Sequence, residues 1–548
     1  MMPFCHVRRG TAAVMFSVLA VGCGSGESPA ASPPVSPAPV ATQLVVTPAT
    51  VTLNTGATST LNVAALTATG APVGGVAVTW TSSAPQVATV SVAGVVTGVS
   101  VGSATITATS GSLRGTSAVT VRTSPPPASF QTTVPAVDFN VVPARPTDTA
   151  ISLSLLSGSS RTVTVTLLDG GRTESLALTA GEPRVLELTG LIADRTYRYR
   201  ITATAPALSY DGQFRTARAI GSTYRFVMQA DSHLDENSDP AIYTNTLRNM
   251  LADSADFLVD LGDTFMSDKY SDYRDASAHY VAQRYYFGLS GVQLPLYLVQ
   301  GNHDAENGWL SANAAWAASQ RLRWFPAVSP NAFYSSGGTA AIPRNYYSWR
   351  WGDALFVALD PYAFTAAKPN ATSTSWAWTL GREQYDWLTR TLESSTARYT
   401  FVFLHHLVGG QGFEARGGAE ASRFFEWGGA NADGTAAFAE RRAGWAMPIH
   451  ELLVKHRVSA VFHGHDHLYV NQVRDGIRYL EVPQPSFARE NATQSAVDYG
   501  YLSGVLLGSS GHVRVTVSPT KATVAYVRSR LAAGNGVVAD QFDIPPSR

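Results

Sequence analysis

From Thr42 to about Val121 the chain alternates apolar and polar residues in short Val/Thr-rich runs, TQLVVTP, STLNVAAL, VAVTW, VATVS, GVVTGV and ATITATS, broken by glycine. Period-two alternation with frequent turns predicts a small antiparallel sandwich. A second β-rich segment, residues 130–218, predicts another. From Tyr224 the pattern changes. The runs YRFVMQA, DFLVDL, LPLYLVQ, ALFVAL, YTFVFL and VSAVFH are almost wholly apolar, and longer stretches separate them. Two of those stretches have helical spacing: Tyr243, Leu247 and Leu251 share a face over 240–252, and Tyr385, Leu388 and Leu392 share one over 382–394. Strands alternating with helices predict an α/β domain of about 300 residues. The tail, GYLSGVLLGSS and HVRVTVSPTKATVAYVRS, returns to strands and hairpins expected to complete a second sheet.

Two stretches cannot build a core. SGESPAASPPVSPAPVA, residues 25–41, predicts an extended tether, and TSPPPAS, residues 123–129, a linker. Ahead of them, Arg8 and Arg9 precede the apolar run AAVMFSVLAV, residues 12–21. Its 10 residues are about half of what a spanning helix needs, so residues 1–22 read as an export signal. The run ends in VGCGS, which resembles a bacterial lipobox with Ala20 where leucine is usual. Cleavage there makes Cys23 a lipid-bearing N-terminus and predicts an envelope protein anchored to the outer membrane, on its periplasmic or cell-surface face. An ordinary secretory signal cut nearby is the alternative. Gly10 and Thr11 lack the apolar character of a twin-arginine signal. Cys5 and Cys23 are the only cysteines, so the processed chain has no disulfide and relies on packing.

Forty basic and forty acidic side chains balance to zero net charge, which argues against a nucleic-acid binder that works by bulk electrostatics. Of only 12 histidines, His463, His465 and His467 fall within VFHGHDHLYV. Other strand ends carry similar chemistry. FVMQA runs into Asp231-Ser232-His233, FLVDL into Gly262-Asp263, LYLVQ into Gly301-Asn302-His303-Asp304, and TFVFL into His405-His406. In an open α/β sheet the carboxyl ends of the strands face one crevice. Five strands therefore deliver Asp, His, Asn and further His residues to one edge. Glycine in GNHD and GHDH is expected to let the backbone turn sharply where a side chain must point inward.

These motifs resemble the calcineurin-like metallophosphoesterase superfamily, D-x-H, G-D, G-N-H-[DE], H and G-H-x-H, across residues 224 to about 530. The resemblance implies two facing sheets flanked by helices, a four-layer α-β-β-α domain over 219–535 with a tail at 536–548. It also implies two metal ions: Asp231, His233 and His467 would bind the first, Asn302, His405 and His465 the second, and Asp263 would bridge them. Such mixed ligands suit Fe, Mn, Zn or Ni. Two ions roughly 3.5–4 Å apart can hold a hydroxide for in-line attack on a phosphate mono- or diester. By the same resemblance His303 is the general acid, oriented by Asp304. His406 and Asp360 read as structural, and His463 as a partner of a ligand. Purple acid phosphatases have D-x-G where Asp231-Ser232-His233 stands and a tyrosine ligand where Met266 stands, so no Fe(III)-tyrosinate colour is expected.

Residues 42–122 resemble the bacterial group-2 immunoglobulin-like domain, with Trp80 as a core residue. LTGLIADRTYRYRI resembles a fibronectin type III corner with Tyr197 as its tyrosine, an arrangement similar to the sandwich that precedes the catalytic domain in purple acid phosphatases. The long insertion 409–445 is a candidate lid, and its Arg416, Arg441 and Arg442 could grip a small-molecule phosphate ester. The competing reading is a surface-displayed binding or adhesion protein carrying an inactive phosphoesterase-like domain. Oligomeric state is not legible.

Overall fold

The strand Leu113–Arg122 buries Gly115, Ser117, Val119 and Val121 and turns the residues between them outward, as alternation requires when one face of a sheet is packed. In the computed structural model, residues 40–54, 57–122, 134–235, 237–270, 272–326, 345–489 and 491–548 are described. The export signal, Cys23 and the linker 123–129 lie outside them. The chain divides into two units, Met1–Ser124 and Pro125–Arg548.

In the first unit the sheet Thr50–Asn54, Leu113–Arg122, Gly102–Ser110, Thr79–Ser82 packs with the sheet Thr58–Thr60, Val95–Gly98, Ala88–Val90. Leu53, Ile106, Val119, Ala88 and Val96 form the shared core. Trp80 is only partly buried and packs against this cluster.

The second unit is built on two large sheets. One has nine strands, in the order Arg184–Thr189, Ala150–Ser157, Phe139–Ala144, Leu296–Leu298, Leu258–Asp260, Tyr224–Gln229, Gly511–Val517, Ala522–Arg528, Val538–Ile544. The other has seven, in the order Tyr347–Trp351, Ala354–Ala358, Tyr399–Phe403, Ala460–His463, Ile477–Glu481, Leu468–Arg474, Val505–Gly508. Phe226, Phe257, Trp349, Phe356, Phe401, Phe403 and Phe462 fill the space between them. Phe226 stacks on Phe257 at 5.4 Å and meets Phe356 edge-on at 5.1 Å. Truncating such a ring to alanine costs about 3–5 kcal/mol.

Helices cover both outer faces. Pro240–Ala252, Ser277–Ser290 and Ser311–Trp324 pack through Tyr243, Leu247, Tyr280 and Phe287 on Val227, Leu258 and Leu296. Gly381–Glu393 and Ile449–Lys455 pack through Tyr385, Leu388 and Leu452 on Val357, Val402 and Val461. The first helix starts where Asp239 accepts from the Ala241 and Ile242 amides, with Pro240 at its first position. The result is the α-β-β-α arrangement. With covers on both sides, the central strands lose alternation: Tyr224–Gln229 exposes only Arg225.

Residues 134–218 do not stand apart from this unit. Ala144 pairs in parallel with Leu296, so Phe139–Ala144, Ala150–Ser157 and Arg184–Thr189 continue the nine-stranded sheet. The four-stranded sheet Thr173–Leu178, Arg161–Leu167, Thr196–Thr204, Ala207–Arg215 packs on that extension through Tyr199, Ile201, Val163 and Leu153. Tyr197 is buried against Phe214, and its hydroxyl accepts from the Ile192 amide at 2.8 Å. The buried Arg284 joins the segments by donating to the Ser154 hydroxyl and carbonyl, at 2.9 and 2.8 Å, and to the Trp324 carbonyl.

The tail corrects the expectation of a single second sheet. Val505–Gly508 closes the seven-stranded sheet, whereas Gly511–Val517, Ala522–Arg528 and Val538–Ile544 extend the nine-stranded one. Strand character was readable from Val/Thr alternation, but choice of sheet depends on the crossover between Gly508 and Gly511.

Candidate metal centre

The parallel strands Tyr224–Gln229, Leu258–Asp260 and Leu296–Leu298 of one sheet, and Tyr399–Phe403 and Ala460–His463 of the other, run into loops that meet. Those loops assemble two groups of metal-competent side chains, Asp231, His233 and His467, and Asp263, His405 and His465, with each group's ligand atoms within 4.8 Å of one another. His467 Nε2 lies 3.5 Å, His233 Nε2 3.6 Å and His405 Nε2 3.7 Å from Asp231 Oδ1. Asp263 Oδ2 lies 3.1 Å from His405 Nε2 and 3.9 Å from His233 Nε2, so this carboxylate reaches both groups.

The backbone there is unusual. Asp231, His233, Asp263, His465 and His467 all have positive φ, between 46° and 86°. Non-glycine residues held there cost of order 1–3 kcal/mol each and persist only where the surroundings over-determine them. The motif glycines serve close approach rather than turning. A Cβ on Gly301 would sit 2.0 Å from the Asp263 amide nitrogen, and one on Gly464 would sit 2.6 Å from Asp231 Oδ2. Neither glycine has positive φ, which corrects the turn expected from sequence.

Hydrogen bonds fix which atoms face the cavity. His405 Nδ1 bonds the Leu261 carbonyl at 2.9 Å, and His233 Nδ1 bonds Asp235 at 3.1 Å, which leaves both Nε2 atoms inward. His465 donates Nε2–H to the Glu414 carbonyl at 3.0 Å, which leaves Nδ1. Asp231 Oδ1, His233 Nε2, Asn302 Oδ1 and His405 Nε2 are buried without a hydrogen-bond partner among the described residues. Asp231 Oδ1, His233 Nε2 and His405 Nε2 converge on one place, and leaving them orphaned would be costly unless a cation satisfies them. The residues fit a metal centre.

The electrostatics agree. Burial alone would raise the Asp231 and Asp263 carboxyls, but the surrounding histidines, His405 foremost, hold both well below the usual range. Burial opposes charge on His233 and His405, yet the carboxylates raise them to about 10 and about 9. Burial and the nearby Arg416 push His465 far down, so it is neutral. The cluster draws protons onto imidazoles because it demands positive charge, the demand that metal ions meet.

His303 lies beside the cluster. Its Nε2 is 4.0 Å from Asp263 Oδ2, and its amide donates to Asp263 Oδ1 at 2.8 Å. Asp304 does not orient its ring. That carboxylate accepts from the amides of Gly301, Asp263, Thr264 and Phe265, at 2.7–3.1 Å, and ties two loops together. Asp268 holds the His303 ring, with Oδ1 2.8 Å from Nδ1. The sequence clue was an acid five residues after Asp263, at a spacing no motif pointed to. Asp235 was missed in the same way.

Of the seven candidate ligands, Asp231, His233 and His467 lie together, as do Asp263, His405 and His465, while Asn302 is buried with its Oδ1 unpartnered among the described residues. The three arginines do not lie together. Arg416 lines a cavity of about 300 Å³ over the cluster, together with Met266, Lys269, His303 and Asn237. Arg442 is instead bound to the fully buried Glu426 and donates to the Trp376 carbonyl at 2.6 Å. Arg441 is half-exposed, 4.0 Å from Glu440, and does not line the cavity. The insertion 409–445 is correspondingly no free lid. Its Trp427 is fully buried and bonded to Tyr479, and only the stretch around Glu414–Arg416 reaches the site. Lys269, which no motif marks out, is exposed and lines the cavity, and its side chain has no hydrogen-bond or ion-pair partner among the described residues. His406 packs on Tyr362 and Trp378, and burial lowers it to about 3. His463 lies 2.6 Å from Glu481. Asp360 caps a turn by accepting from the Tyr362 and Ala363 amides.

Comparison with known proteins matches residues 40–121 to the bacterial Ig-like domain (group 2) and residues 224–469 to the calcineurin-like phosphoesterase. Residues 224–469 belong to the calcineurin-like phosphoesterase family. That membership, with the histidine and aspartate groups, makes this a metal-dependent phosphoesterase domain. A solved structure described as PhoD is similar over 77% of this chain and 92% of its own, at 15% identity and a TM-score of 0.55, which shows the fold alone. GAP50, the anchor in the inner membrane complex of Plasmodium, aligns over 60% of this chain and 90% of its own at 12% identity and a TM-score of 0.35. No curated protein matches the sequence. Among the described residues no helix is long and apolar enough to cross a membrane.

Proposed function

We propose that the protein is an exported, dinuclear metal-dependent phosphoesterase that hydrolyses small phosphate mono- or diesters by in-line displacement. The observation that carries this reading is the convergence of two ligand groups on one set of orphaned buried atoms, with Asp263 within reach of both. Asp231, His233 and His467 would hold one ion, Asn302, His405 and His465 the other, from among Fe, Mn, Zn or Ni. When bound, the pair supplies an acidified water and the positive charge that offsets the phosphoryl oxygens.

The chain's own groups do the rest. Asp268 holds His303 Nδ1, so that Nε2 faces the cavity and delivers a proton to the leaving oxygen. Arg416 and Lys269 line the cavity and present cations to the phosphoryl group. Met266 stands where a phenolate ligand would be needed for tyrosinate colour. An inactive binding domain would be expected to have lost a ligand, and the sequence keeps all seven motif residues.

Export rests on the N-terminal signal and agrees with the Ig-like domain; Cys23 is the proposed lipid anchor. Metal analysis of the purified protein, with a panel of mono- and diesters, tests the function. Two transition-metal ions per chain and metal-dependent hydrolysis are expected, and neither metal nor turnover would overturn it. Fractionation of Cys23→Ser tests the anchor: the variant should leave the membrane fraction, and unchanged detergent-dependent association would refute lipidation.

A further inference from the structure

The residue between the two histidines of GHDH has a role that the ligand pattern does not explain. Asp466 is 2% exposed. Its Oδ2 accepts from the Gly417 amide at 2.8 Å and the Tyr501 hydroxyl at 2.7 Å, and its Oδ1 accepts from Arg416 Nη1 at 3.0 Å. Three donors from two distant parts of the chain therefore close on one carboxylate in the turn that carries His465 and His467. Arg416 Nη1 also donates to the His465 carbonyl at 2.6 Å, and Nε lies 3.3 Å from Glu414. Tyr499 stacks under the guanidinium at 4.5 Å. Among the described residues these contacts use Nη1 and Nε and leave Nη2, on a side chain that lines the cavity.

We propose that Asp466 is a positioning residue, fixing Arg416 so that Nη2 is preset to bind a non-transferred phosphoryl oxygen. The physical reason is entropy. A free arginine loses rotamer freedom when it grips a phosphate, whereas one already held by two carboxylates, a carbonyl and a ring has lost it on folding. The insertion 409–445 then acts as a fixed strut that delivers one cation. This rests on the phosphoesterase reading above.

The test uses the full-length metal-loaded protein with nitrophenyl phosphate as substrate and inorganic phosphate as competitive inhibitor and calorimetric ligand. Asp466→Asn should raise KM and the phosphate Ki by roughly tenfold to a hundredfold, the range for losing one charge-assisted hydrogen bond. Because the cation serves ground state and transition state alike, kcat should change far less. Arg416→Met should show the same pattern, and the double variant should be no worse than either alone, since one acts through the other. Tyr501→Phe, outside the cavity, removes one donor to Asp466 and should raise Ki by a smaller factor with metal content intact. Additive effects, or an unchanged Ki in Asp466→Asn with parent activity normal, overturn the role of Asp466 and leave the function standing. Loss of metal from Tyr501→Phe, with Ki unchanged on the loaded fraction, also overturns it, as Asp466 would then serve only the ligand turn. A parent protein that neither binds phosphate nor cleaves the ester overturns both.

Discussion

Asp268 offers a sharp test of how the site releases its product. Its carboxylate lies 2.8 Å from His303 Nδ1, and both side chains are about 15% exposed, 15% and 16% respectively, so water competes weakly for the bond. A hydrogen bond to a charged partner contributes about 1.5–3 kcal/mol, a factor of roughly ten to a hundred. Asp268→Asn keeps an acceptor for the ring N–H but loses the charge assistance of that hydrogen bond, so the effect should fall near tenfold. Asp268→Ala also frees the ring and should approach a hundredfold. His303→Ala sets the ceiling, at roughly 10²–10⁴ for removal of a positioned acid. These losses should appear on an alkyl phosphate, whose alkoxide needs a proton, and largely vanish on a nitrophenyl phosphate, whose leaving group is already stable. Steady-state kcat/KM for both substrates on one enzyme batch, with metal content measured in parallel, separates the effect from misfolding. Equal losses on the two esters would refute the reasoning and place Asp268 and His303 in support of the phosphoryl group instead.

Asp263→Asn removes the carboxylate that faces both ligand groups, so one metal per chain should be lost; two tightly held ions with normal activity would contradict its position. Arg442→Met leaves the fully buried Glu426 unpaired and should cost about 3–5 kcal/mol in denaturant unfolding, with kcat/KM of the folded fraction unchanged; a selective rise in KM would restore Arg442 as a substrate contact. His512 and Arg514 hold the Asp253 carboxyl, at 2.7 and 2.5 Å, below its ordinary range although burial opposes this. A depressed folded-state pKa gives stability above the unfolded pKa that is lost as pH falls through the folded one. Asp253→Asn should therefore destabilise at pH 7, and the gap from the parent in Tm should narrow in acid; a gap that widens would refute the ion pair. Chelation of the metal-loaded protein should lower Tm reversibly, since a ligand bound only to the folded state stabilises it by mass action; an unchanged Tm would argue against a resident metal.

Much of this architecture could be read from spacing because its elements follow simple periods. Pro240–Ala252 and Gly381–Glu393 lie within one or two residues of the helical stripes through Tyr243 and Tyr385. The seven candidate ligands stand at strand ends, where geometry leaves the side chain of a short motif little choice of direction. What escaped the sequence is relational. Ala144 pairing with Leu296 joins the 134–218 segment to the main sheet, and no local pattern marks a strand for a partner 152 residues away. Asp268 faces His303 only because the loops after two different strands converge, and Glu481 faces His463 only because their strands pair in parallel. Arg442 was indistinguishable from Arg416 in sequence, since burial against Glu426 and Trp376 is a property of the packed insertion.

The strain at the site explains why so much scaffolding surrounds so few ligands. Five left-handed backbones at about 1–3 kcal/mol each are a large demand on a fold whose net stability is typically about 5–15 kcal/mol. Two buried carboxylates in close approach add to it. The surroundings answer with contacts that have no part in chemistry: four amides on Asp304, the Cβ-free approach of Gly301 to Asp263 and of Gly464 to Asp231, and the aromatic layer ending at Phe403 and Phe462 beneath. These contacts tie the ligand loops to the packed sheets. For the metal ions proposed above, selectivity would then fall to donor chemistry and to the geometry those contacts impose, because a site held by backbone crowding cannot readily reshape itself for each ion.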